Sequence, residues 1–514
     1  MAPRTLMVQG TASSVGKSLI VTALCRIFYR RGLRVAPFKA QNMALNSFVT
    51  PDGGEIGRAQ AVQAEAAGIA PAVEMNPILL KPEAGMRSQV VIMGRPVGSM
   101  TFAAYHERKA ELSRTIADCL MRLKREFDLV VIEGAGSPAE INLNSYDIVN
   151  MHVAEAASAP VILVGDIDRG GVFAHLVGTM ELLAPAHRQR VAAFLINKFR
   201  GDAALLKPGL DFLTGRFGIP VLGVVPYVPR LRIADEDSVA LEDRRGRRVS
   251  SAAQVDIAIV RLPRISNYDD FLALEHEPGA VVRFIEEPDA IADADLLVIP
   301  GSKSTVDDLA WLRRYGLAEA IISRARRREP VIGICGGCQM LGETIEDPDG
   351  AESPVRFAAG MGLLALRTRF GREKLTAQVK ARVASPTVLT GGAALEGEIS
   401  AYEIHMGRME RSGSSPAPFR IVARSGVAAD AEDGAVSADG AVAGTMLHGI
   451  FENDALRGSL LRYLRERKGI ATACEADAAA GAVPAREVEY DRLATIVEAN
   501  MDLPMLEKIA GLRS

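Results

Sequence analysis

A chain of 514 residues, 48% hydrophobic and 24% charged, has the length of roughly two to four domains and an ordinary globular balance. Its formal charge of −3 gives no sign of a nucleic-acid or anionic-membrane partner, and no apolar run is long enough to span a bilayer. The five cysteines (Cys25, Cys119, Cys335, Cys338, Cys474) are odd in number and scattered, unlike a secreted disulfide framework, so a cytoplasmic protein is expected.

The opening MAPRTLMVQG reads as a strand running into a glycine loop rather than a signal or transit peptide. Apolar β-type runs then follow at Thr5–Val8, Leu33–Phe38, Leu129–Ile132, Val161–Val164, Ala193–Ile196 and Val221–Val225. They are too uniformly apolar for a sheet with one wet face, which predicts a doubly wound α/β domain with helices on both sides. Between the first two runs, Leu19, Ile20, Ala23, Leu24, Ile27 and Phe28 share one face of a helix over residues 17–31, and Gly32 stops it. The expected first domain covers residues 1–231. Residues 232–251 are charged and aperiodic and read as a linker. A second α/β domain over 252–453 begins with Val255–Val260, Val281–Ile285, Leu296–Ile299 and Val331–Ile334. The small-residue stretch Gly426–Gly444 reads as loop and hairpin, and residues 454–514 as a helical extension with a stripe of Leu456, Leu460, Leu461 and Leu464.

Two stretches carry chemistry. GTASSVGKS, set between a strand and a helix, is a phosphate-binding loop: backbone N–H groups and the helix N-terminus attract phosphate, Lys17 reaches the β/γ oxygens, and the Ser18 hydroxyl suits Mg²⁺. The match is imperfect, since the strict pattern would put its first glycine at Thr11 and Gly10 falls one residue early. Gly10, Thr11, Val15, Gly16, Lys17 and Ser18 form the nucleotide-binding set. Glu133, just after the Leu129–Ile132 run, stands at the edge where open α/β sheets bind ligands and suits a metal-binding role. Asp166 and Asp168 end the next run, with Asp168 better read as a helix cap; Asn197, in NKFRGD, is placed to read a purine edge.

PVIGICGGCQML is a strand ending in a cysteine between glycines, which permits a sharp turn that projects a nucleophile. A thiol needs a basic partner at neutral pH, and His448 in GTMLHGIF supplies one. Cys335 and Cys338 also form a C-x-x-C, readable as a redox pair, but no second metal-binding pair accompanies it. N–H groups around Gly301 and Ser302, in the PGSKST loop, are candidates for an oxyanion hole. Nucleophile, base and oxyanion loop together indicate acyl transfer from an amide.

GICGGCQMLG, PGSKST and GTMLHGIF resemble the class I, triad-type glutamine amidotransferases, of flavodoxin-like fold, in which the positions of Cys335 and His448 are nucleophile and base. Many members place a glutamate two residues beyond the histidine; here Ile450 stands there, leaving Glu452, another carboxylate or a Cys–His dyad. The first half resembles the dethiobiotin-synthetase-like ATPases. QGTASSVGKSLIVTALCRIF, VAPFKAQNMALNS, MNPILLKP, EGAGSPAEINL, DIVNM, GDIDRGGVFA, NKFRGD and YEIHMGRME together resemble the cobyric acid synthase family over nearly the whole chain.

That resemblance implies ATP and Mg²⁺ as cofactors, glutamine and a corrinoid as partners, and amidation of the b, d, e and g carboxylates of adenosylcobyrinic acid a,c-diamide through acyl phosphates. Carried over by position, it implies Mg²⁺ on Ser18 and Glu133, with Glu55 or Asp52 as a further acidic ligand. Lys39, Gln41, Asn42, Asn46, Asp147 and Asn150 are the implied substrate candidates. Amidation of another acid, including the a,c-diamide reaction, and a regulatory ATPase with a non-catalytic amidotransferase half are the alternatives.

Overall fold

The computed structural model describes residues 4–83, 85–229, 231–234, 254–470 and 486–513. The expected linker therefore lies mostly outside the described residues, as do Cys474 and its neighbours. The first domain is built on a six-stranded parallel sheet ordered Val221–Pro226, Val191–Phe199, Val161–Asp166, Arg4–Gly10, Leu129–Glu133 and Val35–Phe38. The helix Lys17–Arg30 covers one face and Lys109–Glu126 the other, so the central strands are buried throughout, as their uninterrupted apolar runs require. Val8 pairs with Glu133 in register and Gly10 with Val164, which brings the phosphate loop and the Glu133 carboxylate to the same carboxyl edge.

An excursion between the second and third parallel strands was not foreseen from the sequence. It forms a four-stranded sheet of Gln41–Met43, Ile78–Pro82, Arg87–Ile92 and Arg95–Thr101, and a small hairpin of Ser47–Val49 with Glu55–Gly57. Several of these strands are three residues long and mix polar with apolar side chains, too little periodicity for a sequence pattern to register.

The second domain repeats the doubly wound plan with strands ordered Ala280–Ile285, Val255–Val260, Leu296–Ile299, Val331–Ile334, Val442–Thr445 and Ala435–Val436, the last antiparallel. Beside it stands a second sheet in which the 18-residue strand Leu366–Val383 pairs antiparallel with Ile399–Arg411. The Gly426–Gly444 stretch forms strands Val427–Asp433 and Ala435–Val436 and the start of Val442–Thr445.

The C-terminal segment is not a single unit. Helix Asp454–Lys468 buries Leu456, Leu460, Leu461 and Leu464 in the core of the second domain. Helices Arg486–Ala499 and Leu503–Ile509 return to the first, where Tyr490, Leu493 and Val497 pack with Leu24, Ile27 and Phe28. Arg26 fixes this return through Glu487 at 2.6 Å and Asp491 at 2.8 Å. No helix among the described residues is long and apolar enough to cross a membrane.

Candidate active sites

The phosphate loop is shaped by contact as much as by composition. A side chain at position 10 would run into Val15 and come within 3.2 Å of Lys17. Gly16 adopts φ +95°, a region costly for other residues, and a side chain there would strike the Asn197 amide. The early glycine at position 10 thus makes room for the loop's own packing. Lys17 donates to the carbonyls of Ala12 at 3.1 Å and Gly136 at 3.0 Å, lying across the loop where phosphate oxygens would compete for it. Ser18 Oγ donates to Glu133 Oε1 at 2.9 Å, and the same carboxylate accepts from Lys39 Nζ at 2.8 Å and Gln63 Nε2 at 2.5 Å.

Beside this loop lies a cavity of about 900 Å³. Lys17, Ser18, Lys39, Gln41, Asn42, Asp147 and Asn150 are all on its wall, so most of the substrate candidates meet the phosphate loop. Met43, Met100, Phe102, Tyr105, His106 and Tyr146 give the same wall an apolar, aromatic stretch. Within it, Phe102 and Tyr146 each lie against the His106 ring, at 3.9 and 4.5 Å between centroids. Asp147 caps the following turn, accepting from Val149 and Asn150 N–H at 2.8 Å each. Asn150 in turn braces the loop after Glu133 through Ala135 O at 2.7 Å.

Four of the expected residues have other partners in the fold. Glu55 is fully buried and ion-paired with Lys81 at 2.8 Å and with Lys374 of the second domain. Two ammonium groups already neutralise it and hold its carboxylate well below the usual range, against a burial that would raise it. A carboxylate so held ties the two domains together; Asp52 is exposed on the neighbouring turn, hydrogen-bonded by Thr50. Asn197 donates its Nδ2 to Val15 O at 2.8 Å and is buried under the loop, so its amide supports the loop backbone. Asn46 also turns away from the cavity and accepts from the Tyr268 N–H of the second domain at 3.3 Å. Lys198, not anticipated, lies on the cavity wall and links Ser14 O at 2.6 Å to Asp166 at 2.8 Å.

In the second domain, Cys335 has φ 49° and ψ −109°, a strained elbow between Val331–Ile334 and helix Gly336–Leu341. The elbow glycines are required by close approach. A side chain on Gly336 would come 2.8 Å from Ser302 N, and one on Gly337 would collide with the Ile299 carbonyl. Gly301 is held just as closely: a side chain there would lie 3.0 Å from the His448 ring. The elbow, the Gly301–Ser302 loop and the histidine therefore meet at one point.

His448 Nδ1 is 2.7 Å from Asp270 Oδ2, and Asp270 Oδ1 accepts from the Gly449 N–H at 2.8 Å. Both side chains are almost wholly buried, at 1% and 2% exposure. Tyr402 stacks on the imidazole at 5.2 Å, and its backbone pairs with that of His448. Burial disfavours the imidazolium, but Asp270 and the Cys335 sulfur outweigh it and raise His448 to about 10. Burial likewise disfavours the Cys335 thiolate, yet His448, His405 and the Gly336 N–H hold the thiol below its ordinary value. The arrangement favours a thiolate–imidazolium pair. Cys338 is fully buried, its thiol pushed well up by burial, and lies 3.8 Å from the Met409 sulfur, the setting of a packing residue and not of a redox partner.

Asp270 was not named by sequence reasoning, which left the histidine's partner open between Glu452, another carboxylate and none. Glu452 pairs instead with Arg486 and, at 3.5 Å, with Arg58. The signal lay in Ser-Asn-Tyr-Asp-Asp after the first strand of the domain, 178 residues before the histidine, a distance at which spacing carries no geometric information. His405, in YEIHMG, was quoted in the sequence without a role; its Nδ1 lies 2.8 Å from the Gly407 carbonyl.

Residues 256–456 match the CobB/CobQ-like glutamine amidotransferase domain, and residues 6–240 the CobQ/CobB/MinD/ParA nucleotide binding domain. Fold, paired sites and domain matches together define an ATP-dependent glutamine amidotransferase. The chain is 63% identical to a cobyric acid synthase from Sorangium cellulosum, over 100% of its own length and 99% of the relative's. Identity is 52% to a cobyric acid synthase from Dehalococcoides mccartyi and 50% to one from Desulforamulus reducens, each across 99% of this chain and 98% of the relative. The chain belongs to the cobyric acid synthase family.

Proposed function

We propose that this chain uses ATP and glutamine to amidate the b, d, e and g carboxylates of adenosylcobyrinic acid a,c-diamide, giving adenosylcobyric acid. The observation that carries the reading is 63% identity over the full length to a cobyric acid synthase, in a chain with both sites assembled.

Glutamine is cleaved in the second domain. The Cys335 thiolate adds to the amide carbon, and the Gly301 and Ser302 N–H groups receive the developing oxyanion. His448 gives its Nε2 proton to the departing nitrogen, releasing ammonia and leaving a thioester. It then takes a proton from the water that frees glutamate, while Asp270 keeps the ring oriented. In the first domain the γ-phosphoryl group passes to a substrate carboxylate, giving ADP and an acyl phosphate; ammonia then displaces phosphate and forms the amide.

Lys17 and the loop N–H groups bind the phosphates. Ser18 and Glu133, two hard oxygen donors 2.9 Å apart, fit Mg²⁺, which when bound neutralises phosphate charge. The apolar wall of Met100, Phe102 and Tyr146 suits the body of a corrinoid, with Lys39 at the end where a carboxylate meets phosphate. Mass spectrometry of the product after incubation with the a,c-diamide, glutamine, ATP and Mg²⁺ tests the reading. Four successive acid-to-amide steps are expected; no mass change with both half-activities intact would move the reading to another carboxylic acid.

A further inference from the structure

One short helix of the first domain touches the machinery of both sites. Arg58, the first residue of Arg58–Ala66, is buried and pairs through Nε with Asp269 Oδ2 at 3.1 Å. Its guanidinium also lies 5.4 Å from the Phe48 ring centroid. On the same helix, Gln60 accepts from Asn42 of the cavity wall at 3.0 Å, and Gln63 donates to Glu133 at 2.5 Å. Arg58 and Gln63 are five positions apart, about 7.5 Å of helix rise. The helix is thus seated against the nucleotide site at one level and against the glutaminase domain at another.

What Arg58 holds is the residue before the triad carboxylate. Asp269 immediately precedes Asp270, which carries His448. The rest of that loop is fastened by the first domain as well. The Ser47 N–H donates to Asn267 Oδ1 at 2.9 Å, and the Tyr268 N–H donates to Asn46 Oδ1 at 3.3 Å. Three successive residues, 267–269, therefore take their positions from the other domain. Two adjacent buried carboxylates repel, and an uncompensated one would protonate or swing away. Arg58 supplies the opposing charge, and AQNMALNS supplies the two backbone clamps.

We propose that Arg58 is a positioning residue for glutamine hydrolysis: from the ATP-binding domain it fixes Asp269, so that Asp270 aims at His448 only while the helix is seated on Glu133. Glutamine hydrolysis then follows the state of the nucleotide site. This rests on the reading of the two sites given above.

The test uses the full-length chain and compares glutamine-dependent with ammonia-dependent amide formation in the same preparations. Arg58→Ala is expected to lower kcat with glutamine about tenfold or more, leave the KM for glutamine within about threefold, and keep the ammonia-dependent rate. The unsubstituted enzyme is expected to hydrolyse glutamine faster when ATP and the corrinoid are present, and Arg58→Ala is expected to lose that rise. Arg58→Lys, which retains a charge facing Asp269, recovers part of the loss. Should Arg58→Ala depress both nitrogen sources equally, the isosteric Asp269→Asn decides by the same ratio, which must fall. An unchanged glutamine-to-ammonia ratio in Asp269→Asn, or in a fully ammonia-active Arg58→Ala, overturns the proposal. So does an unsubstituted enzyme whose glutamine hydrolysis ignores ATP and corrinoid. Failure of the site reading looks different: Cys335→Ala would still hydrolyse glutamine.

Discussion

At Cys335 the chain accepts a positive φ in a non-glycine residue, a conformation that costs on the order of 1–3 kcal/mol and that tight packing of the elbow glycines sustains. The return is a sulfur presented to His448 within a buried pocket. Replacing Cys335 with Ala is expected to abolish glutamine-dependent synthesis while sparing synthesis from ammonium, measured by amide formation with each nitrogen source. Asp270→Asn tests the charge arrangement. With Asp270 in place, His448 keeps its proton to about pH 10, and Cys335 loses its own below the ordinary thiol value. Hydrolysis should therefore rise with pH as the thiolate forms and fall as the imidazolium deprotonates. Removing the carboxylate takes away the strongest influence that raises His448, so the alkaline limb of kcat against pH moves to lower pH. The maximum falls on the order of 10²–10⁴-fold. An unmoved alkaline limb would place the orienting charge elsewhere.

At the level of elements, strand edges do the positioning. The carboxyl ends of Arg4–Gly10 and Leu129–Glu133 bring Lys17, Ser18 and Glu133 together, and those of Leu296–Ile299, Val331–Ile334 and Val442–Thr445 bring Gly301, Cys335 and the His448 loop together. Lys17→Ala removes the cation that spans the loop and is expected to stop amidation from glutamine and from ammonium alike, while basal glutamine hydrolysis survives. Retained amidation would show that phosphate is handled elsewhere.

These edges explain what was legible in the sequence. A cysteine elbow, a histidine after a strand and a glycine loop are local patterns, and so are uninterrupted apolar strands; Cys335, His448, Lys17 and Ser18 stand out in them as candidates. Asp270 does not, because its partner is set by tertiary contact alone. Glu55 shows the complementary limit: a carboxylate before a helix reads as a ligand, and only the folded chain shows that Lys374 of the other domain pairs with it. The polar strands of residues 41–101 escaped because their short segments carry no clear period.

Across the whole molecule, the domains are joined by buried and half-buried polar contacts as well as by the returning C-terminal helices. Lys374 pairs with Glu55 and lies 3.1 Å from Gln89 Oε1; Lys303 meets Glu83 at 2.7 Å; Thr376 donates to Gly53 O at 2.7 Å. Lys374→Ala leaves Glu55 buried with Lys81 and the Ser47 hydroxyl and should destabilise the protein by about 1–3 kcal/mol near neutral pH, read from thermal or denaturant unfolding. Because Glu55 is depressed in the folded state, its contribution is present above the unfolded carboxylate value of about 4.3 and is lost as pH falls through the folded value. The difference between the two proteins should therefore shrink on acidification.

In the proposed reaction, nitrogen freed at Cys335 is placed on a carboxylate activated by ATP. One labelling measurement tests it most directly: amide-¹⁵N glutamine, corrinoid carboxylates enriched in ¹⁸O and unlabelled ammonium, with product and phosphate analysed together by mass spectrometry. The expected result is ¹⁵N in each new amide, little diluted by the ammonium, and one carboxylate ¹⁸O appearing in phosphate for each amide formed. Amides carrying the bulk ammonium isotope ratio, or phosphate without carboxylate oxygen, would contradict it.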